Sequence, residues 1–315
     1  MTQRSSRFAV SCTALLLVAA CGGDAGDGSG TLSGSVRIDG SSTVFPIAEA
    51  VAEEFQIAHP NVRVTVGVSG SGGGFERFCN GEIDLSNASR EIREGEIEEC
   101  EAAGIEFTEV SVAWDGLSVI VNPENDFVEC LTTDELRRIW QPESSVETWS
   151  DVRPEWPDEE IQLYGPGTDS GTFDYFTEAI VGESGASRPD FQASEDDNIL
   201  VQGVAGDRYA LGYFGYAYYA ENQDRLKLVG IDDGNGCVRP SDQTIEDRTY
   251  TPLARPLYVY VKHSALERPE VMEYVEFMLE EAAELVPATG YHPLTEAQYQ
   301  ESLALISQVS GGGAG

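Results

Sequence analysis

The chain of 315 residues carries 55 acidic against 19 basic side chains, a net charge of −36. So acidic a surface repels nucleic acid and anionic lipid, which excludes both as partners held by charge. The length is large for one core and points to two domains behind an N-terminal leader.

Arg4 and Arg7 precede an apolar run, Phe8–Ala20, which is short for a bilayer span and reads as a signal peptide. The run ends Leu17–Val18–Ala19–Ala20–Cys21–Gly22 and resembles the bacterial lipobox, in which the peptide is cut before the cysteine and the cysteine is lipidated. The alternative is an ordinary secretory signal with small residues at its cleavage site. Gly22–Ser33, rich in Gly, Asp and Ser, has little to bury and reads as a flexible tether.

Next come strand, small polar turn and helix, three times over. A strand is predicted over Ser35–Asp39, a turn over Gly40–Ser41–Ser42–Thr43–Val44–Phe45–Pro46, and a helix over Ile47–Ala58. Pro46 suits a first helical turn, where its missing N–H costs little. The second set is Arg63–Val68, then Ser69–Gly70–Ser71–Gly72–Gly73–Gly74, then a helix over Gly74–Asn80. After a helix over Arg93–Ala103, strands over Glu106–Trp114 and Leu117–Asn122, and a helix over Thr133–Trp140, the third set follows. It is Ile161–Tyr164, then Thr168–Asp169–Ser170–Gly171–Thr172, then a helix over Thr172–Ile180. A helix start offers unpaired N–H groups and a positive dipole end, so it holds phosphate-like anions without a cation. One such turn reads equally as an N-cap. Three following strands are the ligand-binding turns of an α/β fold. None has the Lys-Ser/Thr ending of a nucleotide P-loop.

Farther on, a helix is predicted over Ile199–Ala205, strands over Leu211–Tyr216, Lys227–Gly230 and Arg255–Val261, and helices over Pro269–Glu284 and Thr295–Ser307. Tyr209–Tyr219, dense in aromatics, reads as a packed strand rather than a ligand platform. Four cysteines lie beyond the leader and lipobox, and an even number in an exported chain favours disulfides. Three pairings are open. We favour Cys79–Cys100, tying neighbouring helical segments, and Cys130–Cys237, closing a long loop. With no Cys-x-x-Cys and with His59, His263 and His292 scattered, a metal site is not expected, nor is a cofactor.

Four motifs in order are similar to the phosphate-binding proteins of bacterial phosphate ABC transporters, the PstS family. They are Asp39–Ile47, Gly67–Gly74, Asp84–Leu85–Ser86–Asn87–Ala88–Ser89–Arg90 and Tyr164–Phe173, and the likeness covers about Ser35 to Leu305. The resemblance implies an α/β, two-domain periplasmic-binding-protein fold (type II) with two crossovers, a ligand cleft between the domains and no catalytic activity. It places phosphate at Thr43 and Val44, with Ser42 adjacent, at Ser71, and at Ser170, Gly171 and Thr172. Two departures stand out. Several family members have aspartate where this chain has Arg90, and arginine where it has Pro166. The aspartate accepts the proton of hydrogen phosphate and helps reject sulfate. Here Arg90 becomes the candidate charged fork and Asp169 the candidate proton acceptor.

The expected organisation is residues 1–20 as signal, 21–33 as tether, 34–113 with 255–309 as domain 1, 114–254 as domain 2 and 310–315 as a disordered tail. If the chain crosses near Val112–Leu117 and returns near Pro252–Leu257, the turns face each other across a cleft. The functional expectation is a monomeric, lipid-anchored extracytoplasmic receptor that passes inorganic phosphate to a membrane permease. Rivals are a receptor for sulfate, molybdate or tungstate, a phosphate sensor for a signalling partner, and a secreted hydrolase using Ser71 or Ser170. The hydrolase needs a positioned base, and no motif supplies one.

Overall fold

The computed structural model describes residues 31–168, 170–194 and 196–311. The signal peptide, Cys21, most of the tether and Asp169 lie outside the described residues.

The fold is α/β and built in two halves on one path of strands. Its order is Val62–Val66, Gly34–Gly40, Leu85–Ala88, Ala254–Lys262, Phe107–Val121, Ala210–Gly215, Gln162–Pro166, Gln192–Ser194. Gly34–Gly40 runs parallel to both its neighbours, and Gln162–Pro166 runs parallel to both of its own. The one strand common to both halves is Phe107–Val121. Residues 107–116 pair antiparallel with Ala254–Lys262, while Leu117–Val121 pair with 211–215. The two strands expected over Glu106–Trp114 and Leu117–Asn122 are therefore one. Backbone pairing continues through Asp115–Gly116, which face Arg255 and Ala254; Leu117 N–H donates to Leu253 O at 2.9 Å, and from Leu117 onward the strand also pairs with 211–215. This strand carries the chain across, and Ala254–Lys262 carries it back.

The helix Phe45–Ala58 has Pro46 in its first turn and buries Ile47, Val51 and Phe55, spaced four apart on one face. Phe55 meets Tyr274 and Phe277 of the helix Pro269–Ala288 edge to face. In the other half Trp140, Phe176 and Tyr213 pack as a cluster, with Phe176 and Tyr213 stacked. Cys79–Cys100 joins the helices Gly70–Cys79 and Glu94–Ala102, and Cys130–Cys237 joins the outer strands of a small three-stranded sheet.

Several local expectations need correcting. Tyr209–Tyr219 is a buried strand only over Ala210–Gly215 and then turns into the helix Tyr216–Glu221. Leu85–Ala88 is a strand buried on both faces, so it shows no period-two alternation to read. Residues 310 and 311 of the expected tail belong instead to the helix Glu296–Gly311, with Val309 packed against the core, and 312–315 lie outside the described residues.

Asp84 opens the third of the four motifs, Asp84–Arg90, and is 2 % exposed. It accepts from Arg37 N–H at 2.9 Å and from Arg37 Nη2 at 3.0 Å, and Arg268 Nη2 lies 2.7 Å from Oδ1. Burial pushes this carboxyl up, but the bonds from Arg37 and Arg268 outweigh burial and hold it below its ordinary value. A carboxyl lowered on folding contributes its stability fully above its unfolded value, about 4, and loses it as pH falls through the folded value. Asp84→Asn should cost about 1–3 kcal/mol near neutral pH. Urea midpoints should show the gap to wild type closing as pH falls below about 4. A gap that is constant with pH would refute the assignment.

Candidate functional site

The three polar turns lie at strand ends, where the backbone leaves the sheet. Asp39 organises the first two. It is 3 % exposed, accepts from Gly40 N–H at 2.7 Å and from Ser69 Oγ at 2.8 Å, and pairs with Arg77. Ser41 N–H donates to Asn87 O at 2.9 Å and Ser69 N–H to Gly40 O at 3.1 Å, which locks three strand ends together. The packing leaves no room at Gly40, where a Cβ would sit 2.1 Å from Asn87 O and φ is +139°.

In the first turn Thr43 and Val44 are buried and Ser42 is partly exposed. The second turn differs from expectation. The helix begins at Gly70, so Ser71 lies within its first turn rather than ahead of it. Ser71 Oγ accepts from Ser89 N–H at 3.1 Å, which ties the second turn to the Asp84–Arg90 motif. In the third, Ser170 Oγ caps the helix Gly171–Phe176 by accepting from Thr172 N–H at 3.2 Å. In each bond the hydroxyl is the acceptor, and its own hydrogen can serve another acceptor.

The first and third turns touch. A Cβ on Gly171 would meet Thr43 Oγ1 at 2.5 Å, its Cα at 2.8 Å and its N at 3.0 Å. Only glycine permits that approach. Beside the contact is a cavity of ≈ 380 Å³, lined among others by Ser42, Ser170, Gly171, Thr172 and Tyr218. A second cavity, ≈ 360 Å³, is lined by Ser89, Arg90, Tyr175, Arg248, Arg255 and Tyr258 among others.

Arg90 lines that second cavity, but its fork is already engaged. Nη1 and Nη2 donate to the two oxygens of Glu96 at 2.8 and 2.7 Å, and Nη1 also reaches Glu91 O at 3.1 Å. The bonds to Glu96 raise the Arg90 guanidinium further. Nη2 is 3.7 Å from the Cβ position of Gly72, which sets Arg90 beside the second turn. The cation that sequence reasoning missed is Arg255, which touches Thr43 and pairs with Asp115. A signal was present: Asp115 and Arg255 are single charges in otherwise uncharged runs, Val112–Leu117 and Pro252–Leu257, where the chain was expected to cross.

Each histidine has acidic or hydroxyl neighbours: His59 with Glu273, His263 with Thr108 and Glu106, His292 with Glu246 and Asp242. Among the described residues no group of acids, cysteines and histidines could hold a metal, and no helix is long and apolar enough to cross a membrane.

Residues 25–282 match the model of a PBP superfamily domain. The chain is 38 % identical over 300 residues to the phosphate-binding protein PstS of Staphylococcus saprophyticus, covering 95 % of this chain and 92 % of that one. The chain belongs to the PstS family. It is also 48 % identical over 270 residues to protein SphX of a Synechocystis strain, covering 85 % of this chain and 80 % of the relative. A crystal structure of a possible phosphate binding protein from Planctomyces limnophilus superposes with a TM-score of 0.85 at 50 % identity, covering 88 % of this chain and 99 % of that one. This PstS-family chain has the two-domain fold of periplasmic binding proteins and is not an enzyme.

The contact of the first and third turns yields a direct test. Because the added methyl group of Gly171→Ala meets backbone atoms, no rotamer change relieves it, at a cost of about 1–3 kcal/mol to the closed arrangement. Its crystal structure should show the two turns separated. A Gly171→Ala protein with Thr43 still in contact would overturn this reading.

Proposed function

We propose that this protein is a lipid-anchored extracytoplasmic receptor that captures inorganic phosphate and delivers it to an ABC permease. The observation that carries the reading is the contact of Thr43 with Gly171, which brings turns from the two halves of the fold to one place. Backbone N–H groups and the hydroxyls of Ser42, Thr43, Ser71, Ser170 and Thr172, with Val44 and Gly171 supplying backbone, make a donor-rich, cation-poor cradle. Such donors suit a tetrahedral anion that accepts at every oxygen. A ligand gripped by both halves favours the closed arrangement. The names of the relatives from Staphylococcus saprophyticus and Planctomyces limnophilus favour phosphate among such anions.

Arg90 enters this proposal as a neighbour of the second turn whose charge is shared with Glu96. Asp169, outside the described residues, is proposed to accept the proton that phosphate has and sulfate lacks.

Calorimetric titration with phosphate, sulfate, molybdate and tungstate tests the reading. Phosphate should bind one to one and most tightly. Ser71→Ala and Thr172→Ala should each weaken it by ~0.5–1.5 kcal/mol, rising to ~1.5–3 kcal/mol where the donor meets full charge. Asp169→Asn should narrow the preference over sulfate. Wild-type affinity in both hydroxyl variants would sink the cradle assignment.

Anchoring rests on the Leu17–Cys21 motif. Labelled fatty acid should enter the precursor and be lost in Cys21→Ser. A soluble, unlabelled wild-type product would exclude the anchor.

A further inference from the structure

Arg255 is the second residue of the strand that brings the chain back to the first half, and its register partner across the sheet is Asp115. Its guanidinium makes three contacts with three parts of the fold. Nε donates to Asp115 Oδ2 at 3.1 Å. Nη2 donates to Thr43 Oγ1 at 3.2 Å. Cζ lies 3.6 Å from the centre of the Tyr175 ring. Tyr175 belongs to the helix headed by Gly171, and its hydroxyl donates to Pro252 O at 2.7 Å. The side chain of Arg255 is 13 % exposed and that of Asp115 is 2 % exposed. One group therefore touches the first turn, the helix of the third turn and the carboxylate at the crossing strand.

The chemistry of the Thr43 contact is one-directional. A guanidinium has donors and no acceptor. Thr43 Oγ1 is the acceptor in that bond, so its own hydrogen must go elsewhere. Oγ1 also lies 2.5 Å from the Cβ position of Gly171, at the junction of the two turns. An acceptor placed at that junction is what the hydroxyl can serve.

We propose that Arg255 is a positioning residue that commits the Thr43 hydroxyl to donate to an unprotonated oxygen of the bound anion. This rests on the phosphate reading above. Asp115 and the face of Tyr175 hold the guanidinium in place; burial pushes the Asp115 carboxyl up, and its bond to Arg255 opposes that shift in part. Arg255 is paired with Asp115 and its outer nitrogen is turned to Thr43, so its effect reaches the ligand through the Thr43 hydroxyl. It strengthens binding of any tetrahedral oxyanion and does not read the phosphate proton, which is left to another residue.

The experiment is a double-mutant cycle on the full exported protein, read by phosphate calorimetry. Wild type, Thr43→Val, Arg255→Lys and the double variant are compared, with thermal unfolding of each ligand-free protein. Lysine keeps an ion pair with Asp115 but lacks the planar fork that serves Asp115 and Thr43 at once. Arg255→Lys should unfold near the wild-type temperature and bind phosphate about ten-fold more weakly. In the Thr43→Val background the same change should have almost no further effect. Wild-type affinity in Arg255→Lys would overturn the proposal, as would an equal loss with and without the Thr43 hydroxyl. Arg255→Gln is the second probe: should lysine lower the unfolding temperature, a matching loss in Arg255→Gln that also vanishes with Thr43→Val still supports it, and persistence of that loss overturns it. Failure of wild type to bind phosphate would instead reject the phosphate reading.

Discussion

One buried carboxylate holds the first half of the site in register. Asp39 is the penultimate residue of the strand Gly34–Gly40, and its oxygens accept from Gly40 and Ser69 and pair with Arg77. Two polar turns that are thirty residues apart in sequence are thereby set side by side, together with the end of Leu85–Ala88 through the Ser41–Asn87 bond. A buried carboxylate is tolerated only where donors surround it. Here those donors come from the turns themselves, so the group that must be satisfied also shapes the binding edge.

The second constraint is the strand shared between halves. Phe107–Val121 pairs with one half up to Gly116 and with the other from Leu117. A strand is stiff along its length, so the crossing gives the halves a common axis and leaves their turn-bearing edges to meet. They meet at Thr43 and Gly171, where any side chain larger than hydrogen would overlap the backbone. Close backbone approach matters for anion binding, because N–H donors have no side chain with which to reach. Arg255 and Asp115 sit at that same crossing, which places a cation touching the first turn where the chain passes between the halves.

The strong acidity of the chain bears on this arrangement without opposing it. Surface charges are screened beyond ~8–10 Å at physiological salt, while donors inside a cleft act at contact distance. The described ion pairs consume most of the arginines near the site: Arg90 with Glu96, Arg77 with Asp39, Arg255 with Asp115. An anion held there as proposed would meet oriented dipoles and hydroxyls more than free positive charge. That favours recognition by geometry and by proton count over recognition by charge alone.

The three polar turns, the family and the alternation of strand and helix were all legible in the chain. Each is a local pattern: Gly and Ser where backbone must turn, Pro46 at a helix start, and apolar residues four apart, as in Ile47, Val51 and Phe55. Local chemistry dictates these because the responsible contacts lie within a few residues. The continuous strand through Asp115–Gly116, the capture of Arg90 by Glu96 and the pairing of Arg255 with Asp115 and Thr43 were decided only by tertiary structure. Arg255 and Thr43 are 212 residues apart, and Arg255 and Asp115 are 140 apart. A lone charge in an otherwise uncharged run signals that a partner is needed, but which partner depends on strand register, and register is set by the sheet as a whole. Residue types alone thus pointed to the polar turns, and folding selected which cation stands behind the first of them.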